Sequence, residues 1–365
     1  MKTENNKISV RQAMTMYMVA SYSPITRLFP AVAARSADHA GWVAAIVSSV
    51  SVLLLAKIFA SFFKNGANGP ANLSDVYDLA FGKVVSKAIL VFYAVWIALL
   101  FVVYIRYFAE QMLSTMFPSA NIGFFVITMM AIVLVAARGR IEAFARFSEL
   151  SFIIFALILA ILALCLIPVF DIKNLFPVTY FDIKPVLRGS VPMISILGYF
   201  SLFFFLGDHI SDKENTWKRG SRAALYLGIV STSITGICIA TLSFRVLQRM
   251  PMPFFSTTKL ITVMQPLDRM EAFLLCAWVI SDFIIITAFA FILMNITKKL
   301  FNAREARFFS TPIVFFGLVG GLYLVTSRFE LEAFSNSFLC IGTNAVSGFV
   351  IPVAALIVGK LRGKI

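Results

Sequence analysis

Charge is scarce in this chain. Only 14% of its residues are Asp, Glu, Lys or Arg, and only 2 are His. With 60% hydrophobic residues, 38 Phe and a mean hydropathy of +0.88, an ordinary soluble domain is excluded. Cysteine is scarce too: Cys165, Cys238, Cys276 and Cys340 each lie in an apolar run and share no paired spacing. They read as packing residues, with no disulfide framework and no metal site. There is no Gly-rich phosphate loop, no His-Glu-xx-His, no Gly-x-Ser-x-Gly and no Cys-xx-Cys. The loops are too short for a catalytic domain, so neither an enzyme nor a cofactor is expected. Acidic residues are few, 18 against 32 basic, and the net charge is +14. The basic residues are scattered between apolar spans, which speaks for membrane topology and attraction to anionic lipid rather than for nucleic acid. The polar first eleven residues carry no cleavable apolar core, so no signal peptide is expected.

What is present in abundance is apolar sequence of bilayer length. Ten spans are expected, at 10–35, 42–63, 84–108, 123–137, 148–170, 190–210, 222–245, 270–297, 309–326 and 338–360. The fourth is short. Segment 66–82 reads as a loop with a short amphipathic helix capped by Ser74. Assigning Lys and Arg to alternate sides puts roughly twice as many on the side of the N-terminus. The positive-inside rule then places both termini in the cytoplasm. The whole chain, 1–365, is expected to form a single transmembrane domain.

Two spans carry breakers at mid-membrane. In the first, Ser21-Tyr22-Ser23-Pro24-Ile25-Thr26-Arg27 joins a proline, hydroxylated side chains and a cation. Pro24 donates no amide hydrogen bond and loosens the preceding turn. Either this is a proline turn packed against its neighbours, or it is a half-helix junction lining a small-molecule site. Arg27 should face the bundle or water rather than lipid. In the sixth, Pro192, Ser195 and Gly198 repeat the same chemistry. Splitting ten spans five and five makes the first and sixth counterparts and inverts the second half relative to the first. The repeats would cover about 10–170 and about 190–360.

Asp282 lies midway through the eighth span, where a lone carboxylate must be paired, protonated or wetted. Arg106, Tyr104, Asp208 and His209 lie nearer the span ends and read as snorkelling or solvated groups. Gly317 to Gly321 gives a small-residue face on the ninth span, while Gly342 and Gly348 loosen the tenth. Both suit close helix approach, within the chain or with a partner subunit.

Several motifs in order resemble the spore germination permease family, the B subunits of nutrient germinant receptors. Gly139, Glu142, Arg146 and Glu149 resemble its Gly…Glu…Arg…Glu stretch before the fifth span. Asn174-Leu175-Phe176-Pro177 resembles its Asn-Leu-x-Pro segment. Asp268-Arg269-Met270-Glu271, followed by Trp278 and Phe283, resembles its entry to the eighth span. The resemblance implies the amino acid–polyamine–organocation superfamily: an all-α membrane protein of about ten transmembrane helices, a five-plus-five inverted repeat with helices one and six broken. It implies residence in the inner spore membrane, with A and C receptor subunits as partners. It also implies sensing of a small-molecule germinant such as an amino acid, the alternative being an active amino acid/proton transporter. Two departures stand out. Ser21-Tyr22-Ser23-Pro24 replaces the superfamily's Gly-x-Gly, and 148–170 holds no lysine. Arg27 and Asp282 are the residues left to substitute in carboxylate capture and proton coupling.

In that architecture the two breaks face one another. Ser21, Ser23, Pro24 and Thr26 are expected opposite Ile194, Ser195, Leu197 and Gly198, with Trp96, Leu100, Ile284, Ile285 and Thr287 closing the pocket. A mostly apolar lining suits a ligand with an aliphatic side chain. Spans one and eight are neighbours in it, so Arg27 and Asp282 are expected to pair.

Overall fold

The computed structural model describes residues 7–64, 66, 69–261, 270–324 and 327–364. The chain enters through α1 (Val10–Ala37) and returns through α2 (Gly41–Phe62). The short α3 (Leu73–Phe81) leads into α4 (Lys83–Thr115), followed by α5 (Ile122–Arg138) and α6 (Ile141–Leu166). Span six starts as α7 (Ile183–Leu197) and continues as a 3-10 helix over Gly198–His209. Then come α8 (Thr216–Leu242), the short α9 (Phe244–Leu247) and α10 (Pro253–Thr258), and the long α11 (Glu271–Leu300). Span nine is α12 (Ser310–Tyr323), preceded by the 3-10 turn Ala306–Phe309. After α13 (Arg328–Ser335), span ten runs through α14 (Phe338–Ala345), a π-helical turn (Val346–Val350) and α15 (Ile351–Leu361).

All ten expected spans are present as helices, the fourth being the shortest uninterrupted one among the first five. No named strand occurs among the described residues, only an isolated bridge between Ile8 and Ile210. The packing pairs helices of the first half with helices of the second. The most extensive partner of α2 is α8, that of α4 is α11 and that of α5 is α12, while α1 packs on α7. The fifth span packs on the first as the tenth packs on the sixth. The helices facing lipid show the opposite of soluble amphipathicity. On α6, Leu150, Ile153, Leu157 and Leu164 are exposed, whereas Ser148, Ser151, Phe155 and Leu162 face the bundle. With an apolar solvent outside, it is packing and polar satisfaction inside that fix helix rotation.

Local chemistry sets the boundaries. Ser9 caps α1 in a reciprocal box with Gln12. The cap of α3 is Asn72, which accepts from Asp75 N–H, and not Ser74 as expected. Ser74 lies one residue inside the helix and is buried. Gly82 joins α3 to α4 at φ +84°, a conformation that favours glycine. The Glu142–Glu149 motif lies within α6 rather than before it. Asp268 and Arg269 lie outside the described residues.

Both ends of α1 are fastened. At its start, Ile8 N–H donates to His209 O at 2.7 Å and Val10 N–H to Asp212 Oδ1 at 2.6 Å. Arg11 pairs with Glu149 at 2.7 Å. At its far end, Gln248 Nε2 donates to Ala34 O, and Arg35 Nε donates to Gln248 O.

One expectation about a span end needs correction, and of the two alternatives for the glycine face the structure shows packing within the chain. Arg106 is 5% exposed and pairs with Glu110 at 2.8 Å, so it is neutralised by the acid one turn along α4 instead of snorkelling. The Gly317–Gly321 face is covered from within the chain. A Cβ on Gly317 would collide with Phe101 of α4, and one on Gly321 would sit 2.7 Å from Ile105 Cγ2. Gly342, by contrast, has nothing within 4 Å. Gly317→Leu is therefore expected to destabilise the isolated subunit by about 1–3 kcal/mol, as overpacked cores do. Gly342→Leu should leave thermal unfolding of purified protein unchanged. Equal stability of the two variants would contradict this packing.

Candidate functional site

The proline turn of span one keeps its helical form. The structure has α1 continuous through Pro24 and Pro30, where an unwound segment is expected from the sequence. The loosening takes a different form. Ser281 of α11 reaches into the ladder of α1: Ser23 N–H donates to Ser281 Oγ at 2.9 Å, and Ser281 Oγ donates to Val19 O at 2.7 Å. A side chain thus bridges the donor and acceptor of one helical rung. Next to it, Trp278 Nε1 donates to Thr26 Oγ1 at 2.5 Å, and Ser21 Oγ bonds back to Tyr17 O. Span six breaks as expected, changing from α to 3-10 at Gly198.

Arg27 is 2% exposed and Asp282 is 0% exposed, and Arg27 Nη2 lies 3.2 Å from Asp282 Oδ1. The same nitrogen donates to Ser23 Oγ at 2.6 Å, while Nη1 donates to Gln111 Oε1 of α4 at 3.0 Å. The guanidinium also lies 4.7 Å from the centre of the Tyr107 ring. One cation therefore joins spans one, three and eight, satisfied by a carboxylate, a hydroxyl, an amide and an aromatic face. Arg27 Nε, Gln111 Nε2 and Asp282 Oδ2 have no hydrogen-bond partner among the described residues.

The residues expected around the pocket lie in several environments. Leu197 O accepts from Tyr17 O–H at 2.9 Å, which ties span one to the break of span six. Gly198 abuts the π-helical turn of span ten, where a Cβ would sit 2.9 Å from Phe349 and 3.2 Å from Gly348 Cα. Ser23, Pro24, Thr26, Ile284, Ile285 and Thr287 are buried, and Ile194 is half-buried. Trp96 Nε1 donates to Asn344 Oδ1 at 2.9 Å. Leu100 and Ser195, in contrast, line an open cavity of about 40 Å³ with Tyr104, Tyr199 and Asn344. A second cavity of about 30 Å³ is lined by Arg27, Gln111, Tyr107 and Glu110, beneath Arg328 and Glu332 of α13. Leu28, Val32, Tyr107 and Asn336 line both. Each is of water size, well below a ligand pocket of roughly 300 Å³ or more.

Gln111, Ser281, Tyr199 and Asn344 were missed by sequence reasoning. Gln111 lies beyond the expected end of span three because α4 runs on to Thr115. Asn344 is an amide within an apolar span, which was the signal available for it.

Comparison with known proteins gives three findings. The profile of a family described as "Spore germination protein" matches residues 7–329. The chain is similar to spore germination protein KB of Bacillus subtilis (strain 168), 25% identical over 315 residues, which cover 85% of this chain and 83% of that protein. Its fold is similar to that in the crystal structure of MhsT in complex with L-phenylalanine, with a TM-score of 0.65 at 13% identity over 99% of each chain.

The wedged rung generates a test. Ser281→Ala removes the bridge and should cost about 1–3 kcal/mol through unsatisfied buried backbone groups. It should also speed hydrogen exchange at the Ser23 amide. Unchanged exchange at that amide would mean that the rung does not depend on Ser281.

Proposed function

The chain belongs to the spore germination protein family, and from that premise we propose that it is the germinant-sensing membrane subunit of a spore nutrient receptor. Its ligand in this proposal is a small amino-acid-like molecule bound on a transporter-like scaffold. The observation that carries it is the pair of narrow cavities above Arg27. Arg27 and Gln111, each with an unpartnered nitrogen, line one of them, and the mixed wall of Leu100, Tyr104 and Ser195 lines the other. Buried donors with unused capacity suit a carboxylate, and the neighbouring aliphatic and aromatic wall suits an uncharged side chain. The cavities are too small for such a ligand as they stand, so binding requires α13 and the span-ten segment to move outward. A ligand that binds the opened form better shifts the population toward it, which is all that a receptor needs. MhsT was solved with an amino acid bound, and this agrees with the ligand class without fixing it.

Receptor A and C subunits are the partners in this proposal, and the inner spore membrane is the site of residence. Both termini face the cytoplasm in it, on the strength of the asymmetry of basic residues. Nothing in the family or the fold calls for enzymatic turnover, and the role assigned to the ligand is signalling.

A thermal-shift screen of amino acids on purified protein, paired with uptake by proteoliposomes under a pH gradient, separates the alternatives. We expect stabilisation by a neutral amino acid, approaching about 2.7 kcal/mol at a hundredfold excess over its dissociation constant. We expect no accumulation of label. Accumulation would make the protein a transporter, and no stabilisation by any amino acid would leave it a structural subunit. Ser195→Leu, which projects into the larger cavity, should weaken the ligand-induced shift at least about tenfold in apparent affinity, the scale of one misplaced apolar group. An unaltered dose response would put the ligand elsewhere.

A further inference from the structure

At the end of the bundle that carries the N-terminus, a basin of about 640 Å³ opens between the α5–α6 connection and the α11–α12 connection. Its wall carries Arg138, Arg140, Lys298, Arg304 and Arg307, while Glu305 is the one carboxylate that lines it. Among the described residues none of these five cations forms an ion pair, although Arg138 Nη2 donates to Thr311 Oγ1 at 2.8 Å. Two neighbouring cations at this end are compensated instead, Lys299 by Asp75 and Asp78 and Arg11 by Glu149. The basin is thus an uncompensated positive concavity. The start of α6 adds to it. Arg140 occupies the cap position with no side-chain cap, so the first amides of a 26-residue helix open beside Gly139 and Ile141 in the basin wall.

What surrounds the basin identifies its occupant. Its inner wall is apolar, formed by Phe291 and Met294. On the lipid side it runs into exposed apolar side chains. Val135, one turn before Arg138, is 74% exposed, and Phe308, next to Arg307, is 67% exposed. Ile132 and Phe315 continue the two ridges along α5 and α12. A basic hollow at the end of two spans, continuous with paired apolar ridges, has the polarity of a phospholipid and not of a soluble anion.

We propose that this basin binds the phosphate head group of an anionic membrane phospholipid, whose acyl chains lie along the exposed faces of α5 and α12. Arg304, Arg307 and Lys298 grip the phosphate from one side, and Arg140 with the uncapped start of α6 grips it from the other. Such pockets between spans are a recurrent way of recognising acidic head groups. The lipid would tie the two corresponding helices of the repeat, α5 and α12, at the end where α1 is also fastened.

Native mass spectrometry of the full-length protein in detergent, titrated with phosphatidylglycerol, phosphatidylcholine or sn-glycerol 3-phosphate, tests this. We expect retention of phosphatidylglycerol in preference to phosphatidylcholine, and no retention of glycerol phosphate at equal concentration. Arg304→Gln with Arg307→Gln should weaken phosphatidylglycerol binding about thirtyfold, each interfacial cation contributing about fivefold. Lys83→Gln with Lys87→Gln, exposed at the same end but outside the basin, should leave it unchanged. All four side chains are exposed, and Arg140→Gln supplies an independent variant if one pair fails to fold. Equal losses in the two double variants would show diffuse surface attraction and overturn the site. Equal retention of glycerol phosphate would assign the basin to a soluble phosphate. Equal retention of both lipids, with capture of an acidic peptide instead, would make it a protein-docking surface.

Discussion

A guanidinium with 2% exposure inside a lipid-embedded bundle must be neutralised where it stands. Arg27 meets that constraint with Asp282 at 3.2 Å, Ser23 at 2.6 Å and Gln111 at 3.0 Å, and with the face of Tyr107. These groups come from spans one, three and eight, so the charge fixes the rotation of three helices at once. Ser281, adjacent to Asp282, extends the same contact into the backbone of α1. The proline turn is consequently held from outside the helix. A helix missing a rung at Pro24 and pinned by Ser281 and Trp278 can stay continuous without being self-sufficient.

The rest of the centre follows from this arrangement. Span one meets the break of span six through Tyr17 and Leu197, and Gly198 lets the backbone of span six press against Gly348 of span ten. The π-helical turn there releases carbonyls that other spans capture: Ser347 O accepts from Tyr93 O–H, and Gly348 O accepts from Ser201 Oγ. Two water-sized cavities lie on the side of the ion pair toward α13. On the N-terminal side the start of α1 is tied to its neighbours through Ile8, Arg11 and Asp212.

Much of this was legible in the sequence because bilayer length and breaker chemistry are strong local signals. The ten spans, the short α5 and the change of helix type at Gly198 follow from apolar run length and from Pro and Gly placement. The proximity of Arg27 and Asp282 follows from similar depth and opposite charge once the family resemblance makes spans one and eight neighbours. Helix rotation was not legible, because in lipid no amphipathic pattern reports it. The Gly317 face therefore turned out to pack on α4, and Arg106 turned out to be buried beside Glu110. Of the expected pocket residues, Leu100 and Ser195 line the cavity beside Tyr104 and Tyr199, a placement set by helix rotation rather than by run length. Gln111 escaped notice because α4 outruns its apolar core by two turns.

The central claim is that the Arg27–Asp282 pair holds the bundle together, and a double-mutant cycle addresses it most directly. Unfolding free energies of purified Arg27→Met, Asp282→Leu and the double variant would be compared with the parent. Each single change strands a buried charge and should cost about 3–5 kcal/mol, whereas the double change should cost much less than their sum. Additive losses, or single variants as stable as the parent, would contradict the account.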